Sequence, residues 1–140
     1  MHERFLVASL GAVQVGFDVS HVTEVLPLNA VARVPWAPCW VSGVMNHQGR
    51  VLTLIDLGRF LELADTPAPT VAILIDRADV NLALCVAEVA IVEARDAVRI
   101  GQIKQFLPQA ALITEALSTP GLEFQHLDIE RVLDGIEGAF

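Results

Sequence analysis

Few polar side chains in this sequence have the types and spacing that enzyme or metal chemistry requires. The chain has four histidines: His2, His21, His47 and His126. None of them lies at metal-ligand spacing from another, or beside a cluster of cysteines and carboxylates. Ser9, Ser20 and Ser42 have no base at a useful spacing, and the sequence has no nucleophile elbow or phosphate-binding glycine loop. We therefore expect no catalytic residue, no metal site and no cofactor.

Two aspartates are better explained as helix caps than as a catalytic carboxylate pair. Asp56 precedes LGRFLEL, and Asp128 precedes the similar stretch IERVLDG 72 residues later. In both stretches apolar residues follow the aspartate at the i, i+3, i+4 spacing of one helical face. Each stretch therefore predicts a short capped helix.

The hexapeptide MNHQGR is the most polar short piece of an apolar first half, between the runs WVSGV and VLTLID. One interpretation is a tight connection between strands, in which Asn46 and Gly49 adopt positive φ. A second interpretation places His47, Gln48 and Arg50 at an exposed face that contacts a partner. The two interpretations do not exclude each other.

The composition excludes several classes of protein. The chain is 54% hydrophobic and 19% charged, which is enough apolar material for a core. No run reaches the roughly 18 apolar residues that a membrane-spanning helix needs. Glu3 and Gln14 interrupt the N-terminal apolar stretch, so a cleaved signal peptide is not expected. A net charge of −8 argues against nucleic acid and anionic lipid. We expect a soluble cytoplasmic protein without membrane insertion.

The cysteines and tryptophans are assigned environments from their neighbours. Cys39 and Cys85 are too few for a disulfide framework and lie among apolar residues, so they are predicted to be reduced core thiols. Trp40 is predicted to pack in the core. Trp36 lies in a proline-flanked turn and is a candidate for an exposed interface anchor.

Short strand-like segments dominate the chain. They are rich in β-branched residues and bounded by turn residues: RFLVASL (4–10), VQVGFDV (13–19), VLTLI (51–55), VAILI (71–75), LALCV (82–86) and AIVEA (90–94). Gly11 and Ala12, between the first two segments, predict a β-hairpin. These segments predict a mainly β fold.

Two internally repeated motifs indicate a duplicated β module. The predicted capped helices recur after 72 residues, and the valines of FDVSHVTEV (17–25) recur in LCVAEVAIV (84–92) after 67. The stretch ADTPAPT (64–70) has the composition of a linker. Halves of this size would be marginally stable alone, so we expect them to share an apolar interface.

These repeated motifs predict the domain organisation. We expect one domain spanning residues 1–140, with the following parts: subdomain one at about 12–66, subdomain two at about 67–130, and terminal segments 1–11 and 124–140 that can cross between the subdomains.

Several motifs in this order resemble the CheW-like family of chemotaxis coupling proteins. They are FLVASLG (5–11), HVTEVL (21–26), VPWAP (34–38), VSGVMNHQG (41–49) and VLTLIDL (51–57). The resemblance implies two five-stranded SH3-like β-barrels packed on a shared hydrophobic core, with short helices. It also implies a non-catalytic adaptor whose partners are the cytoplasmic tip of a chemoreceptor and the regulatory domain of a CheA-type histidine kinase.

The resemblance also implies which residues contact partners. The partner-sensitive positions of the family fall on Val22 and Glu24 of a predicted short helix, on Gly43, and on the loop at 46–49. Val22 and the nearby Val25 have both a core and a contact interpretation, and Glu24 is either a solvated residue or a charge aimed at a partner. The expected partner-binding residues are Val22, Glu24, Val25, Gly43, Asn46, His47, Gln48 and Arg50.

The chain departs from the family pattern within that loop. The family usually has Asn-Leu-Arg-Gly, whereas here His47 replaces the Leu and Gln48 replaces the Arg. Thr53 also stands where the family often has Pro. Loss of the Arg removes a cation from the loop. The alternative function is therefore a divergent CheW-like module that does not couple the kinase, and instead blocks coupling sites or docks another signalling protein.

Overall fold

The computed structural model describes residues 4–77, 81–100 and 112–138. The strands are β1 (Arg4–Ser9), β2 (Gln14–Asp18), β3 (Val22–Pro27), β4 (Val41–His47), β5 (Arg50–Asp56), β6 (Val71–Ile75), β7 (Leu82–Val86), β8 (Glu88–Glu93), β9 (Val98–Arg99), β10 (Ile113–Thr119) and β11 (Leu122–Leu127). The helices are α1 (Leu57–Phe60) and α2 (Ile129–Gly138), with 3₁₀ turns at Val19–His21 and Ala94–Asp96. None of the helices in these ranges is long and apolar enough to cross a membrane.

The strands form two sheets. The six-stranded sheet has the order β8-β1-β2-β11-β10-β9, and the five-stranded sheet has the order β3-β6-β7-β5-β4. Neighbours are antiparallel except for two parallel pairs, β11 with β2 and β5 with β7. Within the described ranges, no ladder joins the first and last strands of either sheet. The predicted mainly β fold is confirmed and is consistent with SH3-like architecture, although β9 gives one sheet a sixth strand.

The two sheets repeat one topology with strands exchanged between the halves of the chain. Counting along each half, with the two-residue β9 left out, pairs β1 with β6, β2 with β7, β3 with β8, β4 with β10 and β5 with β11. Replacing each strand by its counterpart converts the order of the five-stranded sheet into β8-β1-β2-β11-β10. The first two strands of each half therefore belong to the sheet that holds the last three strands of the other half.

This exchange changes the meaning of the expected subdomain limit. The limit between residues 66 and 67 separates the two repeats, but it does not separate the two sheets. β6 and β7 follow that limit, yet they pair with β3 and β5 of the first half. Conversely, β1 lies in the N-terminal segment and pairs with β8 of the second half. Each sheet thus requires both halves.

Three clusters of buried side chains hold the sheets together. The largest combines residues of both sheets, such as Phe17 and Ile73, with residues of both helices, such as Leu57 and Leu133. A second cluster lies within the five-stranded sheet and a third within the six-stranded sheet. Because the central cluster draws on both sheets, the shared hydrophobic core expected from the sequence is present.

Several local predictions are confirmed. β6 and β7 have the predicted bounds, and β1 and β2 form the predicted antiparallel hairpin around Gly11, whose φ is 97°. Both aspartate caps form: the Asp56 side chain accepts a hydrogen bond from the Arg59 N–H at 3.2 Å. The Asp128 side chain accepts one from the Arg131 N–H at the same distance. These features depend on local sequence, which is why they could be predicted.

The predicted short helix at HVTEVL is wrong. Residues 22–27 form strand β3, and only Val19–His21 form a 3₁₀ turn. Val22 and Val25 have the i, i+3 spacing of a helix, but β-branched side chains favour a strand. Antiparallel pairing with β6, which brings Val25 opposite Ile73, settles the conformation.

Candidate functional site

The expected partner-binding residues lie along two edge strands of the five-stranded sheet. Val22, Glu24 and Val25 belong to β3, whereas Gly43, Asn46 and His47 belong to β4. Gln48 follows in the turn, and Arg50 begins β5. β3 and β4 stand at opposite ends of the hydrogen-bonded order of this sheet. We call the exposed surface formed by β3, the end of β4, the β4–β5 turn and the start of β5 the edge surface.

A side-chain contact joins the two strands. The Nε2 atom of His47 lies 3.0 Å from the Oε2 atom of Glu24, across 23 residues of sequence. The exposed fractions of the two side chains are 22% for His47 and 43% for Glu24. A pair this exposed stabilises the fold by at most about 1 kcal/mol. Its main consequence is geometric, because it brings two separately predicted residues together on the edge surface.

The turn within MNHQGR (45–50) is both tight and exposed. Gln48 has φ of 51° and Gly49 has φ of 79°, the pair of positive values that a two-residue type I′ hairpin requires. The expected positive φ of Asn46 is wrong, since Asn46 belongs to β4. Its side-chain oxygen instead accepts a hydrogen bond from the Gly49 N–H at 3.3 Å. The side chain of Gln48 is exposed at the tip.

Gly43 cannot offer a contact surface of its own. It is buried, and a Cβ atom added to it would lie 2.3 Å from the carbonyl oxygen of Ala32. Ala32 and Val44 exchange backbone hydrogen bonds of 2.9 and 2.8 Å across this close approach. Glycine is therefore needed for backbone packing, and a substitution here acts on partners only through the position of β4.

The remaining expected residues differ in exposure. Val22 is half-buried and packs against the central cluster, so its core interpretation holds. The exposed fraction of Val25 is 39%, which makes it available for contact. Arg50 is exposed, and its guanidinium donates a hydrogen bond to the side chain of Asn81. Arg50 is thus held beside the turn rather than free in solution.

Sequence reasoning missed one exposed apolar residue on this surface. Val51, paired with Asn46 across the hairpin, is 59% exposed. The signal was present, because the alternation of β5 places Val51 on the face opposite the buried Leu52 and Leu54. Val51 adds to Val25 an apolar contribution to the edge surface.

The environments of Trp40 and Cys85 are those predicted, Trp36 is exposed, and the environment of Cys39 differs from the prediction. Trp40 packs edge-on against Phe60 with ring centroids 5.2 Å apart, whereas Trp36 is completely exposed. Cys85 is buried, and burial raises the pKa of its thiol to about 12, with a further contribution from the charge of Asp56. The prediction that Cys39 is a core thiol is wrong, since its residue is exposed.

The side chains of the edge surface form polar and apolar contacts without a cluster of metal ligands in the described residues. Across the described ranges, no three side chains of His, Cys, Asp and Glu converge to hold a metal ion. His21, His47 and His126 lie in three different strands or turns, and His2 lies outside the described residues. What the edge surface does present is a hydrogen-bonded Glu–His pair, two exposed valines and a polar turn, which suits recognition of another macromolecule.

The two sheets and their shared core define a mainly β module. Residues 4–137 match the family model described as a CheW-like domain, so this chain belongs to the CheW-like family of chemotaxis scaffold and adaptor proteins.

Two known proteins are similar to parts or to the whole of this fold. Protein FrzA of Myxococcus xanthus is 34% identical over 59 residues, which make up 42% of this chain and 37% of FrzA. The match therefore spans little more than a third of that relative. The crystal structure of the scaffolding protein TtCheW from Thermoanaerobacter tengcongensis superposes with a TM-score of 0.74 at 17% identity. That superposition covers 91% of this chain and 89% of TtCheW, and at this identity it supports the fold alone.

Proposed function

We propose that this protein is a non-catalytic adaptor that couples chemoreceptors to a CheA-type histidine kinase in a bacterial chemosensory or motility pathway. The observation that carries the proposal is the match to a CheW-like domain over residues 4–137. CheW-like proteins in general couple receptors and CheA. The adaptor would act in the cytoplasm, where the kinase and the receptor tip meet.

The edge surface is the proposed partner-contact region. The Glu24–His47 contact joins β3 to the end of β4, so a partner would meet one continuous surface rather than two separate segments. Val25 and Val51 supply apolar area, while Gln48 and Arg50 supply hydrogen-bond donors. Gly43 supports this surface from beneath without contributing a side chain.

The proposed mechanism is mechanical linkage. One contact holds the receptor helix bundle and another holds the kinase regulatory domain. Each would bury at or below about 1,600 Å² in total, the standard size of a specific interface. Many such contacts in an array gain strength through high effective concentration, so that individually modest affinities are sufficient.

A second candidate function is a CheW-like module outside the kinase complex. Gln48 favours it, because the family usually has an Arg at this position of the loop and the structure exposes the side chain at the tip of the turn. An amide has two donors, one acceptor and no charge, whereas a guanidinium has five donors and a fixed charge. Such a module would block coupling sites or dock a different signalling protein.

A pull-down separates the two candidates. The tagged protein is incubated with the cytoplasmic fragment of a chemoreceptor and with the CheA-type kinase of the same genome, separately and together. An adaptor retains receptor and kinase in one complex. Retention of the receptor alone, or of neither protein, contradicts the coupling function and favours the second candidate.

A further inference from the structure

A cavity of about 330 Å³ opens at the far end of the β4–β5 hairpin from the Gln48–Gly49 turn. Its lining includes Arg33 and Val34 of the β3–β4 connection, Ser42 of β4 and Arg59 of α1. His47 lies five positions after Ser42 in β4, which corresponds to about 17 Å along a strand. The cavity is therefore distinct from the edge surface.

The cavity carries net positive charge in a chain whose formal net charge is −8. Asp56 also lines it, but the Asp56 carboxylate is engaged: one oxygen accepts the Arg59 N–H, and the other lies 3.7 Å from the Arg59 Nε. Among the described residues, the Arg33 guanidinium has no ion-pair partner and the Ser42 hydroxyl has no hydrogen-bond partner. One guanidinium and one hydroxyl thus remain to bind an anion.

An aromatic anchor adjoins the cavity in sequence. Trp36 follows the lining residue Val34 by two positions, and its exposed fraction is 102%. Its φ of 65° is unfavourable for a bulky side chain, and the neighbouring Pro35 and Pro38 restrict the turn. A strained backbone that holds a large aromatic side chain fully in water is typical of an interface residue awaiting its partner.

We propose that this cavity binds an acidic side chain presented by a peptide segment of a partner protein. The carboxylate accepts hydrogen bonds from the Arg33 guanidinium and the Ser42 hydroxyl. Apolar residues beside it in the peptide pack on Val34 and Trp36. A peptide fits better than a free small acid, because the exposed Trp36 lies outside the lining of the cavity. A ligand that contacts both the cavity and Trp36 must therefore be longer than one small acid. This site goes beyond the edge surface and the coupling function.

Nuclear magnetic resonance titration of the full chain tests the proposal. The probes are a blocked tripeptide with glutamate between two leucines, the same tripeptide with glutamine, and sodium acetate. The glutamate peptide is expected to bind about tenfold more tightly than the glutamine peptide and to shift the Trp36 indole and Arg33 side-chain signals. Arg33→Gln is expected to remove about the same tenfold. The matched control Arg95→Gln, an exposed arginine on a 3₁₀ turn of the second half, should change nothing.

Three results would overturn the proposal. Equal binding of the glutamate and glutamine peptides would show that no carboxylate is recognised. Unchanged binding by Arg33→Gln, with a native spectrum, would place the contact elsewhere. Acetate binding as tightly as the glutamate peptide would identify a site for small free acids. A kinase or receptor pull-down reports on the coupling function separately, so failure of one idea leaves the other testable.

Discussion

The β4–β5 and β10–β11 hairpins occupy the same place in the two repeats but expose different chemistry. Gln48 and Gly49 both have positive φ in the first turn, whereas the second has Pro120 followed by Gly121 at φ of 82°, the pattern of a type II turn. The first tip displays histidine, glutamine and arginine. The second lies between Thr119 and Leu122 and has no ionisable side chain. The same hairpin therefore has a polar, partly charged turn in one half and an uncharged turn in the other.

The strand edges beside these turns also differ, in how far other segments cover them. β9 covers the edge of β10 with two paired residues, and the Arg99 Nε lies 2.6 Å from the Glu115 Oε2. Within the described ranges, the edge of β4 has the single bridge between Ala32 and Val44, and beyond it the Glu24–His47 contact. In the part of the chain that the structure describes, the five-stranded sheet therefore leaves more of the β4 edge uncovered than the six-stranded sheet leaves of the β10 edge.

The largest expected effect comes from separating the halves. A chain of residues 1–66 is expected to show no cooperative unfolding transition, because β1 and β2 lose β8 and β11, and β5 loses β7. Circular dichroism during urea titration measures this, and mixing with residues 67–140 is the matched control that should restore the transition. A sharp transition for residues 1–66 alone would show that the exchange of strands is not required.

Gly43→Ala is expected to be the most damaging single change on the edge surface. The added Cβ would meet the Ala32 carbonyl oxygen, and a φ of 146° suits glycine only. We expect the free energy of unfolding to fall by about 2–4 kcal/mol. Gly49→Ala is the control, since its Cβ meets open space and only its φ of 79° is strained, at about 1–2 kcal/mol. Equal losses would mean that the close approach to Ala32 is unimportant.

Glu24→Lys should weaken binding to the receptor or kinase fragment about tenfold. Charge reversal breaks the contact with His47 and opposes any complementary charge on the partner. Because Glu24 is exposed, the free energy of unfolding should fall by no more than about 1 kcal/mol. Glu88→Lys makes the same reversal on β8, the counterpart of β3, and should leave binding within twofold. If both variants bind alike, the two edges do not differ in function.

Gln48→Arg is expected to give the smallest effect. A charge-assisted bond is roughly twice as strong as a neutral one, so binding to a usual family partner should improve by about 1 kcal/mol at low salt. Screening should reduce this gain at high salt. Isothermal titration at two salt concentrations measures it, with Gln48→Met as an uncharged control of similar length. Equal affinities at both concentrations would mean that Gln48 is only a turn residue.

Local features of the fold could be predicted from the sequence, and long-range ones could not. β6 and β7 are short apolar runs bounded by turn residues, and the Asp56 and Asp128 caps depend on neighbours three residues away. β3 was misassigned because the spacing of its valines fits a helix, whereas their β-branched side chains and the pairing with β6 favour a strand. The exchange of strands depends on pairing between segments far apart in sequence. A repeat shows which segments correspond to each other, but not which strands pair.

The candidate site shows the same division. The resemblance pointed to Glu24 and His47 separately, but only the folded sheet joins them across 23 residues. Gly43 looked like a contact residue because position in a motif does not distinguish a surface glycine from a buried one. Arg33 and Arg59 gave no sequence signal, since a cavity formed by a connection, a strand and a helix has no spacing of its own.

The most direct test of the central claim is a map of amide signals when the labelled protein binds an unlabelled kinase regulatory domain or receptor tip. We expect shifts or line broadening at residues 22–26 and 46–51, and unchanged signals at the equivalent hairpin, residues 117–123. Perturbation of residues 117–123 with residues 46–51 unaffected would contradict the assignment of the edge surface as the partner-contact region.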